Sequence, residues 1–188
     1  MVVVNELLDQ IEKSLEHKFY FLSLYATLTV PDAAGALESE NFWATQDKYV
    51  AWFDTWVRPR MGGQILARLP PQVRERMGPK RLGPLDGAAC YQFRCSLLHQ
   101  GSTIRKSSPF DRIMFVEPKT STVTIHNSMS DNSLVLDLPM FCTEVVEGAR
   151  AWLKSMEGNE VFASNVAKSA KRYPDGLPPH ISGVPVIS

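Results

Sequence analysis

Apolar positions recur at helical spacing through the N-terminal half of the chain. Leu8, Ile11, Leu15, Phe19, Leu22 and Tyr25 lie three or four apart, which predicts one long helix from about Asn5 to about Leu28. Asn5 suits its N-cap, and Glu6 and Asp9 suit the positive end of its dipole. Val30-Pro31 interrupts the pattern, so Pro31 is expected as the first residue of a second, short helix. That helix would hold Asp32 in its first turn and run towards Glu38. Tyr49, Trp52, Phe53 and Trp56 mark the buried face of a third helix, Gln46 to Val57.

Proline and glycine then punctuate residues 58–86, leaving room for a short helix around Pro71 to Met77. A further helix is expected from Asp86 to about His99, closed by Gly101. After Pro109 the period changes from helical to alternating. Arg112–Val116, Thr122–Asn127 and Leu134–Leu138 read as three strands, with turns at Pro118-Lys119 and Ser130-Asp131-Asn132. Their spacing predicts an antiparallel meander that leans on the helices. Phe141, Val145, Ala149 and Trp152 define a helix from about Pro139 to about Met156, ended by Gly158. Residues 159–170 form at most a weak helix. From Tyr173 onward, prolines and glycines suggest an extended arm or a disordered tail. The expected class is mainly α with a small β element (α+β). Residues 1–158 would form a helical bundle with the meander at about 112–138, and residues 159–188 a weak helix and tail.

The 188 residues suit one domain with a core that needs no staples. Apolar residues make up 44% and charged residues 21%, which sets the chain apart from disordered compositions. Twenty basic and twenty acidic side chains cancel. Long duplex DNA held by a general basic field is therefore excluded, while a local RNA-binding patch is not. The most basic stretch holds Arg58, Arg60, Arg68, Arg74, Arg76, Lys80 and Arg81 against Glu75 and Asp86. It is either a solvated loop face or a phosphate-contact surface. Three cysteines, Cys90, Cys95 and Cys142, are too few and too odd for a disulfide framework, and they point to a reducing compartment. No basic n-region or cleavage site marks the N-terminus as a signal peptide, and no stretch is apolar enough to span a bilayer. The expected location is cytoplasmic. His17, His126 and His180 are scattered and lack zinc-ligand spacing, so no metal is expected. Nor does any P-loop, dinucleotide fingerprint or His-Glu-x-x-His run call for a cofactor. His17 and His126 read as surface residues.

The candidate chemistry lies in Cys90 to Gly101, CYQFRCSLLHQG. At about 100° per residue, Cys90, Phe93, Leu97, Leu98 and Tyr91 share an apolar arc with Arg94 inside it. His99 falls roughly 140° away from Arg94, beside Gln92, Cys95 and Ser96. A guanidinium in an apolar face needs an acid or a cleft. Asp32 and Glu38 are the first candidates for that acid, Asp47 and Asp54 the next. The arrangement therefore reads either as a helix-orienting ion pair or as part of a site. His99 alone would also serve as a cation at a helix C-terminus.

Arg94-x4-His99 near a helix end in a helical chain resembles the signature of the HEPN superfamily, Arg-x(4–6)-His. Many of those domains are metal-independent ribonucleases of bacterial defence, toxin or effector proteins. The resemblance covers about Ala88 to Gly101. Cys95 stands where many HEPN ribonucleases have a polar residue, often Asn. The resemblance implies an antiparallel helical bundle, with the meander as an addition, and no cofactor. Arg94 would stabilise charge on phosphoryl oxygens, and His99 would act as general base or general acid on RNA. Cys95, Ser96, Gln100, Asp32 and Glu38 would support them. The active cleft would form between two protomers of a homodimer, which also answers the angular separation on one helix. The non-catalytic alternative is a helical module that binds RNA, a nucleotide or a regulatory protein partner through Arg94. Ser96 lacks a nucleophile elbow, and Cys95 could form a Cys–His pair only if His99 lay within reach.

Overall fold

The computed structural model describes residues 3–62, 70–77, 83–104, 109–118 and 124–188. Its helices are α1 (Val3–Glu16), α2 (Tyr20–Leu37), α3 (Gln46–Trp56), α4 (Pro71–Met77), α5 (Gly87–Gln100), α6 (Leu138–Ser155) and α7 (Glu160–Lys168). A 3-10 turn covers Arg58–Arg60. The protein is mainly helical with small sheets, as the periodicities require.

The expected first helix is two. Lys18 turns into the left-handed region at φ 61°. The Phe19 N–H then bonds to the Ser14 carbonyl at 2.8 Å, and the Lys18 N–H to that of Leu15 at 3.0 Å. This is a Schellman closure with lysine in the place that glycine usually holds, which hid the break from the sequence. Asn5 consequently lies inside α1 and is not its cap. Pro31 likewise lies inside α2 and does not start a helix. Lacking an N–H, it cannot bond the Thr27 carbonyl four residues back. The neighbouring Leu28 carbonyl takes a bond from the Tyr49 hydroxyl of α3 at 3.3 Å.

Tertiary packing explains why α2 tolerates this. It touches α1, α3, α5, α6 and α7, and so forms the centre of the molecule. A helix surrounded on most sides needs apolar residues nearly all round. In α2 only Asp32 carries a charge. Leu24, Leu28, Val30, Ala34 and Leu37 of α2 join Tyr49, Trp52, Phe53, Phe93, Phe141 and Trp152 in one core. The aromatic stripe of α3 packs there as expected, with Trp52 edge-on to Trp152.

Three strands follow α5: β1 (Arg112–Val116), β2 (Ser128–Ser130) and β3 (Ser133–Asp137). Their order is β1-β3-β2. The β2–β3 pair is an antiparallel hairpin, turning through Asp131 and Asn132 at positive φ. The β1–β3 pair is parallel, so the sheet is mixed and is not a meander. The expected second strand at Thr122–Asn127 is shorter and later. Residues 122 and 123 lie outside the described residues, and 124–127 form no strand. Leu134 and Leu136 are fully buried, but Val135 between them is buried as well, so burial along β3 is continuous and not alternating.

The C-terminal stretch is neither an extended arm nor a loose tail. Asn165 of α7 donates to the Leu37 and Ser39 carbonyls, and Phe162 packs edge-on to Trp152. Beyond it, β4 (Arg172–Tyr173) pairs with β7 (Val186–Ile187), and β5 (Gly176–Leu177) with β6 (Ile181–Ser182). One hairpin is nested in the other. Among the described residues, no helix is long and apolar enough to cross a membrane.

Candidate active site

Helix α5 positions the site, and its ends are fixed locally. The Asp86 carboxylate accepts the Ala89 N–H at 2.8 Å, a side-chain N-cap. Gly87 starts the helix against the backbone of Val50, where a Cβ would meet the carbonyl oxygen at 2.5 Å. The Gly87 N–H is held by Asp54 at 2.8 Å. At the other end Gly101 adopts φ 64° and its N–H bonds to the Leu97 carbonyl. Between these points Cys90, Phe93 and Leu97 are buried.

That packing turns Arg94 towards α2. Its Nε donates to Asp32 Oδ2 at 2.8 Å, the acid that the apolar arc demanded. Both side chains keep about a fifth of their surface open, 20% for Arg94 and 23% for Asp32. Tyr25 of α2 adds a bond to the Leu97 carbonyl at 3.3 Å, so the two helices are tied twice. Glu38 is not part of this group: it accepts from the Trp152 indole N–H. Of the second-choice acids, Asp54 is occupied by Gly87 and lies near Arg58.

Arg94 Nη1 lies 3.3 Å from His99 Nε2. The angular separation on the helical wheel is thus overcome within one chain, because both side chains reach along the helix surface towards each other. A guanidinium can only donate, so Nε2 accepts and the ring proton sits on Nδ1. His99 itself is exposed. Cys95 is half-buried, with its Sγ at 4.0 Å from Arg94 Nη1. Ser96 is buried and faces the core, and Gln100 is exposed with no side-chain bond among those described. The structure therefore brings together Asp32, Arg94, His99 and, at the edge, Cys95. It leaves Glu38, Ser96 and Gln100 outside.

Burial raises the Asp32 carboxyl above its ordinary value, more than the nearby Arg94 and His99 lower it. For Arg94 burial acts downward, but the charge and hydrogen bond of Asp32 outweigh it and the net shift is upward. The guanidinium is thus a fixed cation. Cys90 and Cys142 are sealed, and burial pushes both thiols up to about 12, which removes them as nucleophiles. Among the described residues, no group of three His, Cys, Asp or Glu side chains could hold a metal ion.

Sequence reasoning missed a second polar cluster and placed His126 on the surface. His126 and Glu144 are buried, their side chains 0% and 1% exposed, with Nε2 and Oε2 2.9 Å apart. His126 Nδ1 accepts the Asp137 N–H at 3.2 Å, so the ring proton lies on Nε2 and is donated to Glu144. The other oxygen of Glu144 accepts the Gly62 N–H at 2.7 Å. The adjacent Asn127 accepts the Leu85 N–H at 3.3 Å. With the His126–Glu144 pair sealed from solvent and Gly62 and Asn127 half-buried beside it, this cluster ties the segments around residues 62, 85 and 126 to α6. Of the basic stretch, Arg58 and Arg60 lie in the 3-10 turn. Arg68, Lys80, Arg81 and the side chains of Arg74 and Arg76 lie outside what is described.

In comparison with known proteins, the chain matches no family model, no curated protein and no solved structure.

Proposed function

We propose that Arg94 and His99 form a metal-independent site for RNA phosphodiester cleavage, of the HEPN type, in a cytoplasmic homodimer. The observation that carries this reading is the 3.3 Å contact of Arg94 Nη1 with His99 Nε2 at an exposed helix end. A cation and an imidazole so close fit a phosphate and the hydroxyl beside it.

The chemistry follows from the tautomer. Without substrate the Nε2 lone pair is occupied by Arg94. An arriving phosphate would take over the Nη1 donor, since an anionic oxygen is the stronger acceptor. That frees Nε2 to take the proton of the ribose 2′-hydroxyl. The 2′-oxygen then attacks phosphorus, the bond from phosphorus to the 5′-oxygen breaks, and a 2′,3′-cyclic phosphate remains. The leaving 5′-oxygen takes a proton from water or from the protonated imidazole, the imidazolium, of a second copy. Asp32 holds the guanidinium by Nε and leaves the outer nitrogens for the phosphate. Because Arg94 and His99 already meet within one chain, the dimer is no longer needed to unite them. Its role would be to supply the acid. Phe19 and Leu22, 58% and 59% exposed on the α2 end, offer it an apolar surface.

One observation favours a second reading. The 2.8 Å Arg94–Asp32 pair clamps α5 to α2 and would do so without catalysis. The protein would then be a helical module that binds RNA, a nucleotide or a regulatory protein partner. The HEPN reading would make it a toxin or effector in bacterial defence. Incubating structured and single-stranded RNA in EDTA with wild type and His99→Ala separates the two. Cleavage by the wild type that the variant loses is the expected result. Equal cleavage by both refutes the catalytic role of His99, and cleavage by neither favours the binding module.

A further inference from the structure

A cavity of about 310 Å³ opens where the start of α2, the end of α5 and strand β1 meet. It lies within the size range of small-molecule sites, roughly 300–1,000 Å³, at the low end. Its walls are Leu24, Leu97, Ile113, Phe115 and Leu138, contributed by α2, α5, β1 and α6. Phe21 and Met114 stand at the rim, 79% and 37% exposed. An apolar body of modest size would be removed from water here.

The side chains at the mouth select the charge of such a molecule. Arg112 lines it, and its guanidinium makes no ion pair among the described residues. Tyr20 and Phe21, which also line it, are the first two residues of α2, and no side chain caps that helix end. The positive end of α2 and the negative, C-terminal end of α5 therefore both adjoin the opening, so the two helix dipoles offset each other and the side chains set its charge. Glu117 is the acidic residue in the lining, and it already has an interaction of its own. The mouth thus carries a cation free of any ion pair among the described residues, and the floor is apolar.

We infer that this cavity binds a small apolar monocarboxylate, with its hydrocarbon part against Leu24, Leu97 and Ile113 and its carboxylate at Arg112. The site is separate from Arg94 and His99, neither of which lines it. It stands or falls independently of the RNA reading. A carboxylate in a half-open, partly desolvated mouth gains a charge-assisted bond that an alcohol of equal length does not.

Calorimetric titration with decanoate and decan-1-ol tests this on the full chain. The wild type should bind decanoate at least tenfold more tightly than decan-1-ol. Arg112→Gln should erase that preference and keep the weaker apolar binding. Met114→Trp, which fills the mouth from an already exposed position, should weaken both ligands tenfold or more. Equal affinity for the two ligands in the wild type would overturn the assignment. So would an unchanged decanoate affinity in Met114→Trp, or no decanoate binding at millimolar concentration. Circular dichroism of both variants checks that the fold is kept.

Discussion

Arg94 donates from Nε to Asp32 and from Nη1 to His99, so one guanidinium serves both the fold and the candidate chemistry. Arg94→Ala should therefore lose RNA cleavage and also about 1–3 kcal/mol of stability, because Asp32 is left part-buried without its cation. Urea unfolding of the purified variant measures the second effect; an unchanged midpoint would mean that the pair is only incidental. Asp32 gives a pH signature. Its folded pKa lies above the ordinary 3.8, chiefly through burial, so the folded state holds the proton longer than the unfolded chain. More protons bound when folded means that stability falls as pH rises from 3.8 through the folded pKa. Asp32→Asn should flatten that decline, read from urea midpoints across the interval, and a slope equal to that of wild type would refute it. The need of Arg94 for an acid was legible in the sequence from its place in an apolar arc. Asp32 was legible only as one of two first candidates, with Glu38, on the expected second helix. The contact with His99 was not, because a helical wheel fixes Cα directions and ignores the reach of long side chains.

At the scale of elements, the legible features were those made by neighbours in the chain. Helix α5 begins at an Asp86 cap and ends at Gly101, and helix α4 falls on Pro71–Met77, as the sequence indicated. The break between α1 and α2 escaped because Lys18 does what glycine usually does. A lysine held at φ 61° carries a backbone cost that glycine avoids. Lys18→Gly should raise stability by about 1 kcal/mol, seen as a higher melting temperature. A fall would show that the Lys18 side chain contributes more than its backbone costs. Pro31 misled for the opposite reason. Its rule is local, whereas α2 is held by helices on most of its sides, and that packing offsets one lost hydrogen bond.

For the molecule as a whole, the decisive element is the buried His126–Glu144 pair, which joins residues 62, 126 and 137 to α6. Glu144→Ala would leave the buried His126 N–H and the half-buried Gly62 N–H without their acceptors, at a cost of about 3 kcal/mol. Glu144→Gln should cost less, since its amide oxygen can still accept from one of the two. Chemical unfolding of both variants checks the order, and equal loss would refute the two-donor account. Nothing in the alternating run before Asn127 announced this pair, since burial there depends on a partner from another element. The parallel β1–β3 pairing and the nested C-terminal hairpins were hidden in the same way. By itself the sequence determined the helical class, most helix ends, the aromatic core face and the demand of Arg94 for an acid. Each of these follows from residue type and from spacing within a few turns. Only the tertiary structure decided strand order, the burial of His126, the central place of α2 and the meeting of Arg94 with Asp32 and His99. Those depend on which distant surfaces exclude water together, and no local pattern encodes that.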